Sequence, residues 1–154
     1  MIYISSNFRE EIKQMLTIYL SPSCTSCRKA HAWLEEYEIP FIERNIMKEP
    51  PTKHEINEIL TLTMNGTNDI ISTRSKAFQD LNININELTM HELYQLIYDY
   101  PEILRKPILV DDRRIQIGYN ESEIRQFVPR EVRSSELKEA QEQMKRIELA
   151  DESS

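Results

Sequence analysis

Two cysteines, Cys24 and Cys27, are the residues most able to do chemistry, and they are the only two in the chain. They follow Ser21 and Pro22 and precede Arg28 and Lys29. Two residues between the thiols, at the start of a helix, let a disulfide close with little backbone movement. A helix N-terminus favours a thiolate, because unpaired N–H groups and the helix dipole both stabilise negative charge there. The run predicts a redox-active dithiol of the thioredoxin type. Two other readings stand beside it. One is a pair of inert core cysteines. The other is half of a zinc site, but zinc takes four ligands and no second cysteine pair exists. His31, His54 and His91 are scattered and make no ligand pattern with the cysteines.

The elements that would position these thiols are legible on either side. Leu16–Leu20 is β-branched or aromatic at its centre and reads as a buried strand. Apolar residues at Cys27, Ala30, Trp33, Leu34 and Tyr37 share one helical face, so a helix is expected from about Cys27 to Tyr37. Ile39 and Pro40 end it, and Phe41–Ile46 reads as a second strand, with Glu38 and Glu43 in solvent. Thr52 followed by Glu55 is a capping box that opens a second helix, buried through Ile56, Ile59 and Leu60. That helix is expected to stop near Met64–Gly66, where Gly66 suits a left-handed C-cap. A short helix through Leu81 and another over Met90–Tyr100 complete a helical block of about fifty residues, longer than an ordinary crossover.

Ile108–Val110 is the next strand and Pro107 stands directly before it, which suggests a cis bond facing the thiols. Asp111–Arg113 turns the chain into a hairpin partner over Arg114–Ile117. Asn120 is expected to cap a short helix carrying Ile124, Phe127 and Val128 inward, which Pro129 breaks. Ser135–Leu149 is a charged helix with a thin stripe of Leu137, Ala140, Met144 and Ile147, suited to weak docking or to a partner. Asp151–Ser154 is expected to be disordered. At the other end, residues 1–14 show no clear period. They are expected to be an N-terminal extension, with Met15 as the natural start. The domain reading is therefore an extension over 1–14, one domain over 15–134 with an insert at about 47–104, and a charged helix and tail over 135–154.

Bulk composition narrows the function classes. The chain has 154 residues, 40% hydrophobic and 29% charged, enough for one globular domain with a core. No apolar run approaches a membrane span, and the start has no basic, apolar signal pattern, so a cytosolic location is expected. In a reducing cytosol a bridge between the two cysteines would be transient and meaningful. The net charge of −7 argues against unaided nucleic-acid binding. Gly66 and Gly118 are the only glycines, and neither lies in a phosphate-binding loop.

The order strand, cysteine loop, helix, strand, helical insert, proline-led hairpin and helix resembles the arsenate-reductase-like branch of the thioredoxin superfamily. Within it the chain closely resembles the Spx family of redox-sensing transcription regulators, through Ser21–Ala30, Ala32–Glu36, Glu43–Asn45, Asn65–Thr67, Ile70–Lys76 and Gly118–Glu121. The resemblance covers about residues 15 to 140. It implies an α/β, thioredoxin-like mixed sheet of four strands with the helical insert between strands two and three. It implies a protein without enzymatic turnover or cofactor that binds the C-terminal domain of the RNA polymerase α subunit, meets promoter DNA only within that complex, and uses Cys24 and Cys27 as a thiol/disulfide switch. Gly66 matches a family glycine at the polymerase interface, and Arg74 a basic residue in the same region. Arg105 and Lys106 match two arginines before Pro107, the second placed by the reactive thiol. Here it is lysine, which keeps the charge and loses the planar fork. Arg28, Arg105, Lys106 and Pro107 thus form the expected thiol environment. Family members are degraded by the ClpXP protease with an adaptor, and the Asp151–Ser154 tail departs from the apolar family tail. Two enzymatic readings compete: an arsenate reductase with Cys24 as nucleophile, Arg74 together with Lys106 or Arg105 holding the oxyanion, and glutathione or glutaredoxin resolving, and a general dithiol oxidoreductase.

Overall fold

The computed structural model describes residues 15–152. The expected extension over 1–14 lies outside them, as do Ser153 and Ser154 at the end of the expected tail. Strand β1 (Leu16–Leu20) runs at the centre of a four-stranded sheet. The order is β2 (Phe41–Asn45), β1, β3 (Ile108–Val110), β4 (Ile115–Ile117). β1 pairs parallel with β2 and antiparallel with β3, and β3 pairs antiparallel with β4. The sheet is therefore mixed and matches the thioredoxin-like expectation.

Both faces of the central strands are covered, which is why β1 reads as an almost continuous apolar run. Strand alternation sends Leu16, Ile18 and Leu20, with Leu109 of β3, to one core, where they meet Cys27, Ala30, Trp33 and Leu34 of helix α1 (Thr25–Glu36). Ile124, Phe127 and Val128 close this core from a 3₁₀ turn, Glu123–Phe127. Asn120 does serve this turn: its Oδ1 accepts from the Ser122 and Glu123 backbone N–H groups at 2.9 and 3.1 Å.

Tyr19, Ile108 and Val110 face the other way, onto the insert between β2 and β3. The insert comprises α2 (Lys53–Thr61), two single-turn helices, α3 (Thr67–Ile70) and α4 (Lys76–Gln79), and α5 (Met90–Asp99). Ile56, Ile59, Ile70, Ile71, Leu93 and Ile97 fill its core. The capping box at Thr52 and Glu55 is formed in full. An isolated antiparallel bridge, Ile71 to Leu104, ties the end of the insert back to its middle.

Three boundaries differ from expectation. Helix α1 starts at Thr25, so Cys27 lies inside its first turn and does not open it. Helix α2 stops at Thr61 with Leu62 as its C-cap, four residues short of Gly66. Gly66, at φ 66° and ψ −133°, instead precedes α3 as its N-cap, so the left-handed C-cap assigned to it is not formed. The terminal helix α6 runs Arg130–Glu152, longer than expected at both ends, and Asp151 and Glu152 are helical. Ala140, Met144 and Ile147 of its stripe are exposed, while Leu137 falls outside the described side chains. Among the described residues no helix is long and apolar enough to cross a membrane.

Candidate functional site

The thiol site is built by the end of β1 and the start of α1. Cys24 is the N-cap of α1 in an extended conformation, and its Sγ accepts the Cys27 backbone N–H at 3.2 Å. A sulfur in that position does what a serine or aspartate oxygen does at other helix starts. It also lies where the helix dipole favours negative charge. Both thiols are free, Cys24 half-buried and Cys27 only 1% exposed.

The two cysteines are therefore unequal. Burial pushes the Cys27 thiol up to about 12, and the hydrogen bond its S–H donates to the Cys24 side chain adds to this. A backbone hydrogen bond at Ser21 and the charge of Lys106 act in the opposite direction without overcoming it. Cys24 is the accessible thiol, and Cys27 is a protonated reserve beside it. This is the division expected of an attacking and a resolving cysteine.

Lys106 reaches the site from the segment just before β3. β3 begins at Ile108, which pairs with Tyr19 near the end of β1, and the Lys106 charge acts on the Cys27 thiol. The Lys106–Pro107 bond is cis, as the sequence suggested, and the Pro107 carbonyl accepts from the Gly118 N–H at 2.8 Å. Arg28 stays on the surface of α1 with its Nη2 on Thr25 Oγ1 at 3.3 Å. It lines, with Ser21, Pro22, Cys27, His31 and Glu43, a cleft that opens beside the buried thiol.

Arg105 turns the other way. Its backbone N–H donates to Ile70 O at 2.8 Å and its Nε to Ile71 O at 3.3 Å. The structure brings Lys106 to the thiols and gives Arg105 to the insert. Gly66 and Arg74 also belong to the insert. Arg74 is exposed at the rim of a shallow groove with Asn68, Phe78 and Asn82. The Gly66 loop is held by Asp69, whose Oδ2 accepts the Met64 and Asn65 N–H groups at 3.1 and 2.9 Å. The Asn65 backbone bond foremost holds the Asp69 carboxyl below its usual range. Met64, beside Gly66, is 95% exposed.

Two clusters escaped the sequence reading. Glu55 accepts from the Tyr19 hydroxyl at 2.8 Å and pairs with Arg44, which bonds β1, β2 and α2 together. Its place in a capping box was visible; its second role needed the tertiary contact. His31 lies between Glu35 and Glu43, each 3.7 Å from a ring nitrogen, with its ring edge-on to Phe41 at 5.2 Å. The i, i+4 spacing of His31 and Glu35 was the one local signal. Glu43 is exposed, as expected, and stands beside that imidazole.

The ArsC family model matches residues 19–127. The global transcriptional regulator Spx of Bacillus subtilis strain 168 is 60% identical over 127 residues, covering 82% of this chain and 97% of that protein. The chain belongs to the Spx group of the ArsC family. The Spx regulator of Streptococcus pneumoniae R6 is likewise 60% identical, over 82% of this chain and 95% of its own. Among solved structures, a possible arsenate reductase from Streptococcus mutans UA159 is 27% identical with a TM-score of 0.61, covering 70% of this chain and 92% of that one. An arsenate reductase from Vibrio cholerae shares the fold at 19% identity and a TM-score of 0.60, over 74% and 95%.

Proposed function

We propose that this Spx-family chain is a transcriptional regulator that reads thiol-oxidising stress through Cys24 and Cys27 and passes it to RNA polymerase by docking on the C-terminal domain of the α subunit. One observation carries the switch: an accessible sulfur caps α1, and a buried, protonated thiol waits one turn inside the same helix. Oxidation bonds the N-cap to the first turn, so the state of the pair is written into the start of α1. A shift of about 5.5 kcal/mol is enough to take a two-state equilibrium from one extreme to the other. The relatives at 60% identity are named global transcriptional regulators, which supports the regulatory reading. The net charge of −7 suits docking on a basic protein surface better than binding DNA unaided.

The docking surface in this reading is the Gly66 loop with Arg74 on the insert. Space beside Gly66 is open, with no atom within 4 Å of where a Cβ would stand. The test is binding of the full chain, reduced and oxidised, to the isolated α C-terminal domain, with Gly66→Arg as control. Binding lost in that variant supports the interface, and binding in neither redox state refutes the reading. A second reading, arsenate reduction, draws on the Streptococcus mutans relative and on Cys24 as a ready nucleophile. Of its oxyanion cations Lys106 stands by the thiols, but Arg105 bonds Ile71 O and Arg74 is absent from the cleft beside Cys27, which weakens it. Turnover with arsenate and a thiol reductant would restore it.

A further inference from the structure

A helix on the surface of a domain needs one apolar stripe, and α5 carries a second face beside it. Leu93, Leu96 and Ile97 are the buried stripe. His91, Tyr94, Gln95 and Tyr98 follow the i, i+3, i+4, i+7 pattern and form the other face along the helix. Tyr98 is 65% exposed on it. Opposite this face stands the turn into α2, where Pro50 and Pro51 lead to Thr52 and Lys53. The two walls enclose a groove of about 340 Å³. Its shape is set before anything binds. The Tyr94 hydroxyl donates to Asn57 Oδ1 of α2, which ties one wall to the other. Proline fixes φ, so the Pro50–Pro51 wall has little freedom to lose on binding. Tyrosine presents an apolar ring with a polar tip, the kind of side chain enriched where proteins meet.

Charge decides the occupant. On a chain of net charge −7, the groove is lined by the Lys53 ammonium and the His91 ring and by no carboxylate. The acids nearby in sequence are engaged elsewhere. Glu49 stands 3.6 Å from Arg44 Nε, and Glu55 accepts from the Thr52 N–H and the Tyr19 hydroxyl. Glu92 closes the capping box of Thr89, and Asp99 Oδ1 accepts from Gln95 Nε2 at 3.0 Å. An anionic segment therefore finds a cation at the rim and no repelling acid in the lining. One lysine and one histidine are too few to hold a phosphate backbone, whose binding scales with the number of cations offered. We propose that this groove docks an acidic segment of a partner protein, with an aromatic or aliphatic anchor seated between Tyr98 and the proline wall and its carboxylates toward Lys53. The groove shares no residue with the cleft beside Cys27, and Gly66 and Arg74 do not line it. It is thus independent of the thiol switch and of the Gly66 loop, and it selects a partner of the opposite charge to the basic surface sought there.

The test is peptide display on the full chain, with a library of random short peptides selected in parallel on the wild type and on Tyr98→Ala. The wild type should enrich peptides that combine Asp or Glu with an aromatic or aliphatic residue, and Tyr98→Ala should not. Titrated into the isotope-labelled full chain, the most enriched peptide should shift the amide signals of Lys53, His91, Gln95 and Tyr98 and leave those of Cys24 and Gly66 in place. Tyr98→Ala should weaken that peptide at least about tenfold, as for an aromatic anchor. Lys53→Glu should weaken it at least about threefold, as for reversal of a rim charge. Should Tyr98→Ala fail to fold by circular dichroism, Lys53→Glu carries the test, since an acid in the first turn of α2 suits the helix dipole. Enriched peptides that are basic or uncharged, shifts at other amides, or no enrichment at all would overturn the proposal. So would a single-stranded oligonucleotide that binds the wild type and not Tyr98→Ala, or a dimer in sedimentation that Tyr98→Ala dissolves, which would give the groove to a second copy. Weaker binding of Tyr98→Ala to the α C-terminal domain would merge the groove with that interface and overturn the separate site.

Discussion

Replacing Gly66 separates two effects that the family resemblance leaves fused. At φ 66° and ψ −133° the residue sits where an L side chain is strained, while its Cβ direction is empty within 4 Å. The cost of a side chain in the free protein is thus conformational and not steric. Such a strained position costs about 1–3 kcal/mol. The stiffer unfolded chain returns about 0.4–1 kcal/mol, leaving a net loss of about 1–2 kcal/mol. For a chain of this size that lowers Tm by about 2–8 °C. Alanine and arginine should cost the same, because neither meets a neighbour. Both variants should stay folded, since domains are typically stable by about 5–15 kcal/mol. Thermal unfolding of both, beside titration against the polymerase α C-terminal domain, separates strain from obstruction. Arginine should weaken binding at least about tenfold, a loss of about 1.4 kcal/mol, and alanine far less. Equal weakening by both would show that the loop conformation matters and the open space does not. No weakening by either would remove Gly66 from the interface. A Gly66→Arg much less stable than Gly66→Ala would contradict the empty Cβ direction itself.

Three further outcomes follow from the site and its supports. Iodoacetamide at neutral pH should alkylate Cys24 alone in the folded chain, with Cys27 labelled only after denaturation; equal labelling by peptide mass would refute the unequal pair. Lys106→Met should raise the Cys27 thiol further and slow closure of the bridge, whereas Arg105→Met should leave closure unchanged and loosen the insert, read by hydrogen exchange at Ile70–Ser72. The Glu55 carboxyl is held below its usual range: burial works against this, and the Thr52 N–H, the Tyr19 hydroxyl and Arg44 outweigh it. Its folded value lies below its unfolded one, so its stabilisation is present above the ordinary glutamate pKa and is lost as pH falls through the lowered value. Glu55→Gln should flatten that acid limb, and Arg44→Met should lower stability by about 2 kcal/mol, below the 3–5 of a fully buried pair, measured by urea unfolding.

Elements are legible in the sequence wherever a local pattern and the tertiary fold ask for the same thing. Leu16–Leu20 reads as a covered strand because both its faces are covered. Thr52 and Glu55 form their box from backbone and side chains three residues apart. The start of α1 was misplaced by two residues because its cap is a sulfur, and cysteine is not among the usual capping residues. Gly66 was assigned to the wrong helix because positive φ serves several kinds of junction, and the sequence does not say which. The His31 clamp could not be read, since Glu43 joins it only once β2 lies beside α1. Arg105 and Lys106 looked equivalent as a basic pair, but the bond of Arg105 to Ile71 sends them to different parts of the molecule.

That divergence of two adjacent residues has a thermodynamic consequence. Arg105 fastens the insert and Lys106 sets charge at the buried thiol, so one peptide link joins the region assigned to docking and the region assigned to oxidation. Linkage is symmetric: whatever factor oxidation applies to docking, docking must apply to the dithiol equilibrium. A tenfold preference of the polymerase for the oxidised chain would lower the reduction potential of the bound dithiol by about 30 mV. A regulator wired in this way would not report one fixed potential. Its set point would differ between the free chain and the chain held at a promoter, and the supply of polymerase would help decide how much stress counts as stress.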